Sequence, residues 1–353
     1  MFLAVSILLI FVVLSLDFIL IHRKPLSEGI PEFDLIFLIR ITLNLIASCI
    51  FVFSLSGNVF KVNTEKYGKG ISSFFSKTTE YLVYIFIVLC NTYFLATFLF
   101  DPVMFNYLGL EDNSVESLSS WICFINCGVF TLLLLKTHKF IRTQKKYFVS
   151  IIYMFIISFF LIGMEEISWG QRIIGFETPE IFKTNFQNEF NLHNFATNKF
   201  ENLYYFGAFL FLVFIPFLID NLKKFYSVKF INFFKPSKFI VISSAILTAY
   251  NYDMWNIPVI QLGYFISIFI VIYYMLTDWF NNSLNVDTVL ILFSLIVTQT
   301  AFLMFGENFI RIWDVTEYKE FYIPFMFLLY SLELAQKIRY FEKEFEGAIY
   351  TRF

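Results

Sequence analysis

Long apolar runs dominate the chain and restrict it to folds that can lie in a lipid bilayer. A helical span needs about 20 mostly apolar residues. We therefore predict an all-α fold, a polytopic integral membrane helical bundle with about ten transmembrane helices. The ten predicted spans are Phe2–Ile21, Leu35–Ser56, Tyr81–Phe100, Trp121–Leu135, Tyr147–Met164, Leu203–Ile219, Phe239–Tyr250, Pro258–Leu276, Thr288–Phe305 and Phe321–Ala335. The seventh is the weakest, because its apolar run is short and ends in Asn251, Tyr252 and Asp253.

The composition supports the same class of protein. Of the 353 residues, 58% are hydrophobic, 15% are charged and 51 are Phe. Soluble domains are about 45–50% apolar and about 25% charged, and a soluble core could not cover this much aromatic surface. The same numbers exclude nucleic-acid-binding, disordered and disulfide-scaffold proteins. Because no Gly/Ser-rich or Pro-rich linker interrupts the chain, we predict a single membrane domain over residues 1–353.

Loop charges predict the orientation in the membrane, because Lys and Arg are retained on the cytoplasmic side. Most of the 26 Lys and Arg residues fall in the loops 57–80, 136–146 and 220–238 and in the tail 336–353. We therefore expect both termini to face the cytoplasm, in the cell membrane. Arg23 and Lys24 directly follow the first span and argue the other way. A nine-span variant, with the first or second segment re-entrant, is thus the alternative.

The predicted external segment 165–202 combines polar groups with large apolar side chains. Carboxylates, amides and one His lie among residues such as Ile173, Phe176 and Leu192. A merely solvated loop does not need such apolar groups, whereas a segment at the membrane interface buries them in the headgroup boundary. We expect residues 165–202 to form an amphipathic interfacial segment on the extracytoplasmic side.

The start of this segment offers candidate acid–base residues. On a helix, Glu165, Ser168 and Arg172 would share one face, with Trp169 beside them. Glu165 and Glu166 lie where the fifth span ends, next to low dielectric, where one of two neighbouring carboxylates can keep its proton near neutral pH. A general acid requires that property. We predict Glu165 or Glu166 as the catalytic acid or base; the alternative is a polar helix end with an Arg partner.

Glu189 and His193 form a second candidate pair. Their i, i+4 spacing would aim both side chains at one point on a helix, which suits a divalent metal or an acid–base pair. We predict Glu189 and His193 as metal ligands, with His193 also a catalytic candidate. The alternative is a surface contact. Trp169, Gln171 and Asn194 are predicted to contact the substrate.

Further polar residues are predicted to share the outer side of the membrane. Arg40, within the second span, and Arg172 could bind a phosphate or carboxylate, because a fixed guanidinium suits both. An equally good interpretation pairs Arg40 with Asp17. Asp253, between spans seven and eight, and Glu307, after span nine, are second-rank substrate-binding candidates.

Polar groups thus concentrate on one membrane face. We predict an enzyme acting at the extracytoplasmic interface on a lipid or lipid-linked substrate, by hydrolysis or group transfer that is acid–base or metal-assisted. Its expected partners are membrane lipid and a lipid-linked or small-molecule substrate. One alternative is a transporter or channel, whose polar groups should lie near mid-membrane in broken helices; the interruptions at Asn44, Asn91, Thr248 and 250–258 are modest. The other is a noncatalytic assembly protein.

Overall fold

The computed structural model describes most of the chain. The described residues are 2–20, 22, 28–55, 73–110, 113–136, 146–185, 188–192, 195, 197–222, 225, 228–283 and 285–350. Within these ranges, only the backbone is described at positions 17, 20, 146, 147, 172, 198, 229, 230 and 342–350.

The described residues form helices joined by turns and loops and contain no strand, which confirms the all-α prediction. The α-helices are α1 (Phe2–Leu20), α2 (Leu35–Leu55), α3 (Lys77–Phe100), α4 (Pro102–Leu108), α5 (Ser114–Lys136), α6 (Lys146–Glu166), α7 (Gln171–Ile174), α8 (Thr197–Phe209), α9 (Ile215–Asn221), α10 (Lys229–Phe234), α11 (Lys238–Ser244), α12 (Pro258–Phe280), α13 (Val286–Met304) and α14 (Asp314–Tyr350). A π-helical turn, Leu210–Phe214, joins α8 to α9.

Seven helices within the described ranges are long and apolar enough to cross a membrane. They are α2, α3, α5, the part Phe148–Glu166 of α6, the continuous stretch Lys199–Asn221, α12 and α13. This supports a helical membrane bundle but not the count of ten. The apolar helices Phe2–Leu16 and Lys238–Ala249 are shorter, and α14 is not among the seven.

The chain divides into two compact units. One comprises Met1–Tyr107 and Phe206–Lys319, and the other comprises Leu108–Tyr205 and Glu320–Phe353. We call them the first and the second unit. In the first unit, α2 packs along α12, and the short α11 packs against α13 and the π-helical turn. In the second unit, α5 packs along α6, with the Phe130 and Phe155 rings stacked 4.7 Å apart.

Pro324 illustrates how the second unit compensates for a missing backbone hydrogen bond. Proline has no N–H, so a helix interior that contains it leaves the carbonyl four residues earlier without its usual donor. That carbonyl belongs to Glu320, and the Ser119 hydroxyl of α5 donates to it at 2.9 Å. The Asn126 amide donates to the Pro324 carbonyl at 2.9 Å. Ser119 of α5 therefore takes the place of the missing backbone donor, and Asn126 adds a second bond between the two helices.

This compensation predicts the result of a double-mutant cycle. Ser119→Ala should lower the free energy of unfolding by about 1–2 kcal/mol, because the partly buried Glu320 carbonyl loses its donor. In a Pro324→Ala background the helix regains its own N–H, and the same Ser119→Ala change should cost much less. Unfolding of the four variants in mixed detergent measures this difference. Equal costs in both backgrounds would contradict the assignment.

Candidate functional site

Helix α6 ends at Glu166, and the chain then turns sharply. Ser168, Trp169 and Gly170 follow one another in the left-handed region, with φ values of 46°, 53° and 77°. Such backbone strains Ser and Trp by about 1–2 kcal/mol each, but not Gly. The prediction that Glu165, Ser168 and Arg172 share one helical face is therefore wrong. Three left-handed residues lie between Glu165 and Arg172 and change the direction of the chain.

The strained turn is fixed by the carboxylate of Glu165. Its Oε1 accepts a hydrogen bond from the Trp169 indole at 2.7 Å. Its Oε2 accepts one from the backbone N–H of Leu192 at 2.6 Å. Hydrogen bonds to a charged acceptor are about twice as strong as those between neutral groups. Glu165 thus binds the segment that contains Leu192 to the end of α6.

Glu189 contacts the strained turn from the segment that contains Leu192. Its Oε2 accepts a hydrogen bond of 2.6 Å from the Ser168 hydroxyl, and Ser168 is buried. The Asn185 amide in turn donates to the Glu189 carbonyl at 2.7 Å. Glu165 and Glu189 therefore hold the two sides of one turn. We call residues 165–185 and 188–192 the polar loop.

Gln171 connects the middle of the polar loop. Its Oε1 accepts a hydrogen bond from the Phe190 N–H at 2.6 Å, and its Nε2 donates to the Thr178 hydroxyl at 2.7 Å. That hydroxyl donates to the Asn188 carbonyl at 2.8 Å. The structure thus brings together four of the predicted site residues, Glu165, Trp169, Gln171 and Glu189.

The helix assumed for Glu189 and His193 does not form over the described part of that stretch. Residues 188–192 form bends and irregular chain rather than a helix, and Asn188 has a φ of 58°. His193 and Asn194 lie outside the described residues, as does the side chain of Arg172. The described residues hold no group of three or more His, Cys, Asp or Glu that could bind a metal ion.

Glu166 belongs to a different cluster of the second unit. Glu166 and Glu320 both interact electrostatically with Tyr204 and Cys123. The Tyr205 hydroxyl donates to Glu320 Oε1 at 2.5 Å. Sequence reasoning missed Glu320 and the two tyrosines, because they come from distant segments that only the fold brings together.

The polar loop also presents an apolar rim. Ile173, Ile174 and Ile181 are 77%, 76% and 75% exposed. In the same loop, the Phe190 ring lies 4.6 Å from the Phe182 ring and 5.9 Å from the Phe176 ring. A polar turn bordered by exposed isoleucines is the arrangement expected of a segment that enters a membrane interface.

The other predicted site residues lie in the first unit. Arg40 is buried on α2, with its guanidinium 5.3 Å from the centre of the Phe37 ring. The side chain of Asp17, its suggested partner, is outside the described set. Asp253 is buried, and Glu307 lies in a short 3-10 turn, Gly306–Asn308.

Comparisons with protein-family models, curated proteins and solved structures found no match.

Loss of the Glu165 carboxylate should loosen the polar loop. In Glu165→Ala, the Leu192 N–H and the Trp169 indole lose their acceptor. Hydrogen exchange of the peptide containing residues 188–192 should accelerate by about tenfold, the equivalent of one charge-assisted hydrogen bond. Glu177→Ala removes an exposed carboxylate from the same loop and is the matched control. Mass spectrometry of exchanged peptides measures both; equal exchange in the two variants would refute the role of Glu165.

Proposed function

We propose that this multi-pass membrane protein is an enzyme that acts at the extracytoplasmic membrane interface on a lipid or lipid-linked substrate, by hydrolysis or group transfer. The observation that carries the proposal is the polar loop, in which carboxylates lie beside an exposed apolar rim. The proposal includes ten spans, both termini in the cytoplasm and residence in the cell membrane, as the loop charges favour.

The apolar rim supports an interfacial substrate. Burying one isoleucine side chain in an apolar phase contributes about 1.5–3 kcal/mol. Ile173, Ile174 and Ile181 together would attach the loop firmly to the headgroup boundary. A substrate with a lipid tail would then reach the carboxylates by lateral diffusion, without leaving the membrane. A water-soluble substrate gives no reason for such a rim.

The contacts of the carboxylates suggest separate roles. Glu165 accepts two short hydrogen bonds, so we assign it to positioning the turn rather than to proton transfer. Glu166 shares its surroundings with Glu320, and paired carboxylates beside tyrosine hydroxyls are suited to general acid–base chemistry. Glu189 accepts from Ser168 and, with His193, forms the second acid–base or metal-binding candidate. Arg172 remains the candidate for an anionic group of the substrate.

A second candidate function is solute transport. It is favoured by a helix break in the first unit, where polar side chains surround residues 250–257. Broken helices with buried polar groups are typical of transporter binding sites.

Lipid conversion by the reconstituted protein tests the proposed enzyme. Full-length protein in nanodiscs made from lipids of its source membrane should convert one lipid class, as followed by mass spectrometry. Glu166→Gln should lower the rate by about 100-fold or more, because general acid–base catalysis contributes that much. Glu189→Gln should also lower it.

Glu180→Gln is the matched control, because Glu180 lies in the same loop, is 86% exposed and contacts Lys183. It should retain the wild-type rate. Full activity in both Glu166→Gln and Glu189→Gln would exclude the assigned chemistry. A wild-type protein that is folded but converts no lipid would favour transport.

A further inference from the structure

The strained turn after α6 separates two segments that are both helical. Four residues, 167–170, lie between α6 and α7. Three of them, Ser168, Trp169 and Gly170, have left-handed backbone. Gln171 then returns to helical φ and ψ values of −52° and −47°. No proline lies in these four residues or in α7, so the sequence does not prevent α6 from continuing into α7.

Two opposing effects act on the conformation of this turn. Left-handed backbone strains Ser168 and Trp169, and a helix through these positions would remove the strain and add backbone hydrogen bonds. Two contacts oppose that change. The Leu192 N–H donates to Glu165 Oε2 at 2.6 Å, and the Ser168 hydroxyl donates to Glu189 Oε2 at 2.6 Å. Because such strain persists only where other contacts enforce it, loss of these two bonds would favour the helix.

The remaining contacts are compatible with either conformation. The Trp169 indole donates to Glu165 Oε1 at 2.7 Å, and residues four apart are also neighbours on a helix. The Asn185 amide donates to the Glu189 carbonyl at 2.7 Å and accepts from the Glu189 N–H at 3.1 Å. The segment that contains Glu189 and Leu192 can therefore separate from the turn while its own contacts persist.

We propose that residues 167–170 are a two-state hinge. In the bent state, which the structure describes, Glu189 is bonded to Ser168. In the straight state, α6 continues into α7 and Glu189 separates from Ser168. A donor on the substrate headgroup that binds the Glu189 carboxylate competes with the Ser168 hydroxyl. It therefore shifts the hinge to the straight state, because a ligand favours the state that it binds better. This regulation rests on the proposed function of Glu189, whereas the two states themselves do not.

Gly170→Ala tests the hinge. Alanine is strained at the φ of 77° in the bent state and is the better helix former in the straight state. The nearest atom to an added Cβ is Ile174 Cδ1, at the ordinary contact distance of 3.7 Å, so the substitution acts through backbone conformation. The straight population should rise about tenfold. Hydrogen exchange of the peptide containing residues 188–192, in full-length protein in nanodiscs, should accelerate by the same factor.

Gly175→Ala is the matched control. Gly175 has the same φ of 77°, and an added Cβ there meets open space among the described residues. It follows the last residue of α7 in both states, so the substitution strains them equally. Exchange of the peptide containing residues 188–192 should stay at the wild-type rate. Equal acceleration in Gly170→Ala and Gly175→Ala would overturn the hinge.

The direction of exchange within the turn distinguishes a hinge from general loosening. Ser168→Ala combined with Gly170→Ala also removes the bond to Glu189, so the straight state should predominate. The peptide containing residues 167–174 should then exchange more slowly than in the wild type, because its N–H groups gain helical acceptors, while the peptide containing residues 188–192 exchanges faster. Faster exchange of both peptides would overturn the hinge. Lipid conversion tests the proposed enzyme separately, because these exchange measurements need no substrate.

Discussion

The structure depends on one constraint, which is that polar groups removed from water need partners within the protein. Ser119 replaces the donor that Pro324 removes from α14. In the first unit, the Gln299 amide donates to the Asn251 carbonyl in the break after α11, while Lys319 and Asn91 bond to the side chains of Asn251 and Tyr250. In both units, the sites where helical hydrogen bonding fails are the sites where polar side chains gather. Function is best sought at those interruptions.

The polar loop follows the same logic at the end of a helix. Glu165 accepts a short hydrogen bond from Trp169, and Glu189 accepts one from Ser168, in a turn whose backbone is strained at both residues. Strain of this kind persists only where the surroundings enforce it, and it concentrates at functional sites. The isoleucine rim adds a second property, an exposed apolar surface of the kind that suits a membrane interface. Together they give the proposed enzyme a defined place to meet a lipid.

Apolar patterning predicts the helices well, because length and hydropathy decide what can lie in a bilayer. It also indicates the weakness of the segment Phe239–Tyr250, where the helix does end. It fails after Glu166, because nothing in Ser168 or Trp169 signals left-handed backbone. The prediction for Glu189 and His193 fails for a different reason. An i, i+4 spacing brings two side chains together only on a helix, and residues 188–192 are not helical. Glu320 reaches the surroundings of Glu166 through tertiary packing alone, which no local pattern records.

In the proposed function, the rim of the polar loop enters the membrane interface while its carboxylates stay at the boundary. Spin labels at Ile173→Cys and Ile181→Cys test this placement, and a label at Glu177→Cys is the polar control. The labelled chain has its native cysteines replaced and is reconstituted in nanodiscs. Labels at both isoleucine positions should be relaxed more by oxygen than by a water-soluble nickel complex, and the label at position 177 should show the reverse. Equal nickel accessibility at all three positions would contradict it.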